Sequence, residues 1–186
     1  MSKEAFIKPD NKTKDKTRVG NYFISNYPPF SFWNEKDVPC LQSVMQSPSP
    51  GDAPLGLYYH VPFCRKRCHF CYFRVYTDKN SKEVGRYLSA TLREFQSYAD
   101  SPYIAGRKPK FIYFGGGTPS YLSAKQLIEL TDGMKKIMPW DEAEEVTFEC
   151  EPGTLSRKKL EAIKSIGVTR LSLSLIHISE PTRQLC

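Results

Sequence analysis

No run of apolar residues in this 186-residue sequence approaches the roughly 20 needed to cross a bilayer. The opening residues, Met1-Ser2-Lys3-Glu4, lack the apolar stretch and small-residue cleavage site of a secretory signal. Together these point to a soluble, cytoplasmic protein with no membrane partner. Acidic charge is also in short supply: 20 Asp and Glu stand against 27 Lys and Arg, giving a formal net charge of +7 and a pI near 9.1. Separated cysteine pairs at zinc-finger spacing are missing, although there are six cysteines, at 40, 64, 68, 71, 150 and 186. Without a secretion signal, a disulfide framework is the weaker reading of those six.

What is present is globular in character. Apolar residues make up 40% and aromatics 13%, enough for one ordinary domain with a sizeable core. Residues 1–20 are polar and basic, and read as a disordered leader. Residues 21–54 scatter Tyr22, Phe23, Tyr27, Phe30, Phe32 and Trp33 among prolines and read as an extended arm without regular structure, its aromatics packing for stability. From residue 55 a rhythm begins. Leu55–Val61 has strand character and stops at Pro62; residues 82–99 repeat apolar side chains at helical spacing, with Ser81 as the expected cap. Lys110–Phe114 is a second strand running into Gly115-Gly116-Gly117, and Ser123 opens a second helix. Glu145–Cys150 is a third strand, Ser156 caps a third helix closed by Gly167, and Val168–Leu173 is a fourth strand. Such alternation predicts an α/β fold with parallel strands and outer helices. Three strand C-termini then carry the chemistry-bearing residues, at the edge where parallel α/β folds place their sites.

Cys64, Cys68 and Cys71 put three thiolates on one short loop. Thiolates favour zinc or an iron–sulfur cluster. A closed zinc site wants four ligands, and His69, wedged between two cysteines, is badly placed to be the fourth. Three cysteines suit a [4Fe–4S] cluster with one iron open, where the amino and carboxylate groups of S-adenosylmethionine (SAM) can chelate. Electron transfer from the reduced cluster then cleaves SAM to methionine and a 5′-deoxyadenosyl radical. The glycine run lets backbone come close to a ligand. By itself it is no more than a tight turn, and Glu149 by itself no more than a strand-end carboxylate; the cysteine motif one strand earlier changes both readings.

Tyr58-Tyr59-His60-Val61-Pro62-Phe63-Cys64, Cys68-His69-Phe70-Cys71, Gly115-Gly116-Gly117-Thr118-Pro119-Ser120 and Glu149-Cys150-Glu151-Pro152-Gly153-Thr154 occur in this order. This series resembles the radical-SAM family of oxygen-independent coproporphyrinogen III oxidases and their relatives, over residues 55–173. The resemblance implies the N-terminal part of a partial (β/α)6 barrel. It implies cluster ligation by Cys64, Cys68 and Cys71, Phe70 beside the adenine, and SAM contacts from Gly116, Gly117, Thr118 and Glu149. Tyr58 and His60 match the family's residues just ahead of the cluster, as candidate catalytic groups, with Tyr58 also a SAM contact; packing under the loop is the alternative for both. A low-potential reductase and a tetrapyrrole or other conjugated substrate are the implied partners.

Two departures stand out. Coproporphyrinogen dehydrogenases carry a further cysteine two residues beyond the third ligand, and here that place is Phe73. This favours relatives such as haem chaperones or radical methyltransferases over the decarboxylation itself. The family also continues Arg-Leu-Ser-Leu into Gly-Val-Gln, whereas residues 174–186 resemble translated sequencing-adapter DNA. We therefore expect a non-native tail, no role for His177 or Cys186, an exposed fourth strand, and little turnover from this truncated chain. Arg65-Lys66-Arg67, inside the cysteine motif, leaves a zinc module binding nucleic acid as a disfavoured third reading, because basic runs are mostly surface charge.

Overall fold

Among the described residues, three of the four α-helices begin at a side-chain cap. The computed structural model describes Phe32, 34–49, 51–69, Cys71 and 73–174. The leader, Tyr22, Phe23, Tyr27, Phe30, Trp33 and Phe70, and residues 175–186 with His177 and Cys186, lie outside the described residues. The chain divides into two units, Met1–Leu41 and Gln42–Cys186. The sheet and the site both belong to the second.

Helix α1 (Val38–Met45) corrects the expectation of an extended arm. A 3-10 turn at Glu35–Asp37 precedes it, with the Asn34 side chain accepting from the Lys36 N–H at 3.0 Å. Pro39 falls in the first helical turn, where a missing N–H breaks no intrahelical bond, so the proline-rich composition was a poor guide. Strand β1 (Leu55–Val61) is followed by the cysteine loop and helix α2 (Ser81–Ala99). Its cap is Asn80, not Ser81: the Glu83 N–H donates to Asn80 Oδ1 at 3.0 Å, and the Asn80 N–H donates to Glu83 Oε2 at 3.1 Å. That reciprocal box satisfies two backbone donors at once. Then come β2 (Pro109–Gly116), α3 (Ala124–Ile137, capped by Ser123), β3 (Glu145–Cys150), α4 (Arg157–Ser165, capped by Ser156) and β4 (Arg170–Leu173).

The four strands form one all-parallel sheet in the order β1-β2-β3-β4. Side chains alternate between faces. Tyr59, Val61, Ile112, Phe114, Val146 and Phe148 turn one way, into a core shared with Leu88 and Phe95 of α2, Leu127, Leu130 and Met134 of α3, and Ile163 of α4. Burying each such side chain stabilises the fold by about 1.5–3 kcal/mol. The opposite face carries Tyr58, Tyr113, Thr147 and Arg170 in one register row. The core-side alternation therefore anchors the sheet, while the row on the other face is aromatic at Tyr58 and Tyr113 and polar at Thr147 and Arg170.

On β4, Leu171 and Leu173 remain 47% and 49% exposed. They fall on the core-side parity, yet no described helix covers them. An apolar strand at a sheet edge promotes association. Replacing both residues by lysine is expected to lower light scattering of concentrated chain several-fold, with the far-ultraviolet dichroism unchanged; equal scattering contradicts this account.

Candidate functional site

The cysteine loop is fixed at its root before any cysteine is reached. Gly117 N–H donates to the Val61 carbonyl at 2.8 Å and Thr118 N–H to the Phe63 carbonyl at 2.8 Å. On the other side, Tyr76 N–H donates to the Pro62 carbonyl at 2.8 Å and Cys64 N–H to the Tyr76 carbonyl at 3.0 Å. The start of the loop is thus gripped by backbone from both flanks, and buried backbone groups find partners. Arg65 Nη1 donates to the Gly153 carbonyl at 2.5 Å, tying the loop to the turn after β3. Arg67 Nη2 donates to the Cys71 carbonyl at 3.1 Å and Cys71 N–H to the Cys68 carbonyl at 3.1 Å, folding the loop back on itself. Two of the three basic residues therefore donate to backbone carbonyls, Arg65 outside the loop and Arg67 within it.

Glycine is required where the two segments meet. A Cβ on Gly117 would lie 2.8 Å from the Val61 oxygen, 2.9 Å from the Phe63 oxygen and 2.9 Å from Cys64 Sγ. Gly116 has φ of 110°, and a Cβ there would lie 2.6 Å from the His60 ring. Backbone without side chains is what lets the turn lie against the cysteine loop.

A cavity of about 330 Å³ opens at the C-terminal edge of the strands, lined by Cys64, Cys68, Cys71, Gly116, Gly117, Thr118 and Glu149, with Phe73 and Glu151 also on its wall. Thr118 Oγ1 donates to Cys64 Sγ at 3.4 Å. Burial pushes the Cys64 and Cys68 thiols up, and the neighbouring thiols push further in the same direction. Three thiols lining a shared cavity suit a cationic metal centre, which favours their thiolate forms. Among the described residues, no group of three His, Cys, Asp or Glu side chains is drawn together as a grip for one metal ion. Three thiolates on one loop are donors of the kind an iron–sulfur cluster takes. The donor set and the glycine cradle fit such a cluster.

Glu149 is held more firmly than a solvated strand-end carboxylate. Tyr113 Oη donates to Oε1 at 2.6 Å and Gly116 N–H to Oε2 at 3.2 Å. Tyr58, predicted as a catalytic group or as packing under the loop, is 54% exposed, and its hydroxyl pairs with His60 Nδ1 at 2.9 Å. The His60 ring sits against Phe73 with centroids 6.0 Å apart, and burial lowers its pKa.

Sequence reasoning missed the support beneath the glycine turn. Ser120 Oγ hydrogen-bonds Thr154 Oγ1 at 2.5 Å and accepts from the Glu151 N–H at 2.9 Å. Lys159, only 9% exposed, donates to the Ser120 carbonyl at 2.8 Å and also to the Leu122 carbonyl. Lysine on an amphipathic helix reads as surface, and only the tertiary fold turns this one inward. Tyr113 belongs to no motif, only to the strand Lys110–Phe114. Its parity with Tyr58 across a parallel pair was the available signal.

This arrangement has known counterparts. The Radical SAM superfamily profile matches residues 58–186. The chain is 34% identical over 127 residues to the haem chaperone HemW of Escherichia coli (strain K12), covering 68% of this chain and 33% of that protein. It is 30% identical over 145 residues to the oxygen-independent coproporphyrinogen III oxidase of the same strain, covering 78% of this chain and 31% of the relative. The solved structure of coproporphyrinogen III oxidase (HemN) from Escherichia coli, a radical SAM enzyme, superimposes with a TM-score of 0.62 at 31% identity, over 76% of this chain and 31% of that one. An all-parallel α/β half-barrel with its cysteine loop after the first strand is thus a radical-SAM fold. The chain belongs to the Radical SAM superfamily, and it spans about a third of the length of these relatives.

Two outcomes test this geometry. Gly117→Ala is expected to destabilise the chain by about 1–3 kcal/mol in urea titration, because backbone oxygens leave no room for the methyl. Gly56→Ala, which meets nothing within 4 Å, should stay within about 0.5 kcal/mol of wild type; equal effects at the two positions contradict the close approach. Burial favours neutral His60, so its contribution to stability is present above the free-histidine pKa of about 6.5 and is lost as pH falls through the lower folded value. Imidazole NMR signals should titrate with a midpoint below that of the unfolded chain; a higher midpoint contradicts the reading.

Proposed function

We propose that this chain carries the cluster and cofactor site of a radical-SAM enzyme of the coproporphyrinogen III oxidase-like group. The observation that supports it is a single cavity bordered by Cys64, Cys68, Cys71, the Gly116-Gly117-Thr118 turn and Glu149. Bound there, a [4Fe–4S] cluster and SAM supply reductive cleavage of the sulfonium to methionine and a 5′-deoxyadenosyl radical. The three cysteines furnish the thiolate ligands, and the Thr118 hydroxyl steadies that of Cys64. Gly116 and Gly117 admit the methionyl end against bare backbone, where the Glu149 carboxylate supplies an acceptor. Phe70, two residues after Cys68, is the proposed neighbour of the adenine. Tyr58 and His60 form a hydrogen-bonded pair able to hold or pass a proton between Oη and Nδ1.

The substrate class follows from the relatives, whose names point to coproporphyrinogen and haem, and from the exposed Tyr58 ring stacked on Tyr113 at 6.0 Å. Aromatic faces suit a planar, conjugated ligand. Lys66 and Arg67 on the cavity wall suit docking of an acidic, low-potential reductase. A haem chaperone is the second reading, favoured by the 34% identity to HemW and by Phe73 in place of a further cysteine; a radical methyltransferase is the third. A soluble cytoplasmic setting belongs to the same proposal, and among the described residues no helix is long and apolar enough to cross a membrane.

Anaerobic reconstitution tests the proposal. Wild type should gain about four irons and the broad charge-transfer absorbance of a cluster, while Cys64→Ala, Cys68→Ala and Cys71→Ala each lose most of it. In the full-length protein, dithionite and SAM should give 5′-deoxyadenosine in amounts that track cluster content. Full cluster loading with no SAM binding contradicts the assignment, whereas stable, transferable haem binding without cleavage favours the chaperone.

A further inference from the structure

Of the acids near the glycine turn, Glu149 is the one whose two carboxylate oxygens are both engaged, each by a donor from a different part of strand β2. The Tyr113 phenol reaches Oε1 at 2.6 Å, and the Gly116 N–H reaches Oε2 at 3.2 Å. Glu149 pairs in register with Ser172 of β4, so β2, β3 and β4 meet at this carboxylate. The Tyr113 ring cannot easily turn away. It stacks on Tyr58 at 6.0 Å with planes 28° apart, flanks Phe111 at 6.2 Å, and fills the space in which a Cβ on Gly115 would lie 2.6 Å from it. Burial and the carboxylate push the phenol up to about 12, so it is a donor throughout the neutral range. A glutamate side chain otherwise retains considerable rotamer freedom. Charge-assisted bonds to both oxygens set its plane as well as its position.

We infer that Tyr113 is a positioning residue for cofactor binding: it aims the Glu149 carboxylate at the amino group of the methionyl end lodged against Gly116 and Gly117. The inference rests on the SAM site proposed above. Tyr113 stands behind Glu149, off the cavity wall, and acts through it. Its hydroxyl is the operative part, while its ring serves packing.

The test compares wild type, Tyr113→Phe, Glu149→Gln and the double variant of the full chain, reconstituted anaerobically, with SAM affinity read by calorimetry. Tyr113→Phe keeps the stacked ring, so iron content and urea midpoint should match wild type while the SAM Kd weakens about tenfold, the range of one hydrogen bond to a charged group. The double variant should bind no more weakly than Glu149→Gln alone, because both changes remove the same contact. A Kd for Tyr113→Phe within twofold of wild type, or fully additive losses, overturns the inference and leaves the site proposal standing. A fully loaded wild type that binds no SAM overturns the site proposal and the inference with it. A second readout needs no cluster: the infrared carboxylate band of Glu149, isolated by subtracting the Glu149→Gln spectrum, should shift in Tyr113→Phe, and an unmoved band overturns the inference.

Discussion

The site depends on one close approach between two stretches of backbone. Gly117 and Thr118 donate to the carbonyls of Val61 and Phe63, extending the β1–β2 pairing past the end of the strands and into the loops. That pairing places the first cysteine beside the glycine turn, with Cys64 Sγ 3.4 Å from the Thr118 hydroxyl. Both segments can meet only because position 117 has no side chain. Parallel strands make the arrangement possible, since every loop after a strand then emerges at the same edge. Every other element of the site is supported from this junction outward.

Polar support extends on two levels. Near the ligand surface, Tyr113 and the Gly116 N–H hold Glu149, and Arg65 ties the cysteine loop to Gly153. Deeper down, Lys159, Ser120 and Thr154 lock the turn after the glycines to the turn after β3. Burying an ammonium is costly unless its hydrogen bonds are met, and two backbone carbonyls meet them here. Lys159 therefore trades solvation for a fixed loop. Rigid support of this kind holds a ligand site in its working geometry more dependably than surface contacts do.

Much of this was legible in the sequence, for stated reasons. Strand positions followed from Leu55–Val61 and Glu145–Cys150, whose composition and proline or glycine stops leave little room for another reading. Ser123 and Ser156 were recognisable caps because each begins an apolar helical repeat. Helix α1 was not legible, because prolines dominate its surroundings and one proline is compatible with a first turn. Asn80 was overlooked beside Ser81, since both are good caps and only the partner Glu83 decides between them. At the site, the motif residues announced themselves, but Tyr113, Lys159 and Arg65 did not: their roles arise from contacts 36, 39 and 88 positions away in the chain, which no local pattern encodes.

The central claim is that three thiolates from one loop hold a [4Fe–4S] cluster whose remaining iron takes SAM. Electron–nuclear double resonance on the reduced, reconstituted chain with SAM carrying a nitrogen-15 amino group addresses it directly. The account predicts a strong nitrogen coupling to the cluster that disappears when SAM is omitted. A fully loaded cluster that binds SAM yet shows no such coupling would contradict it.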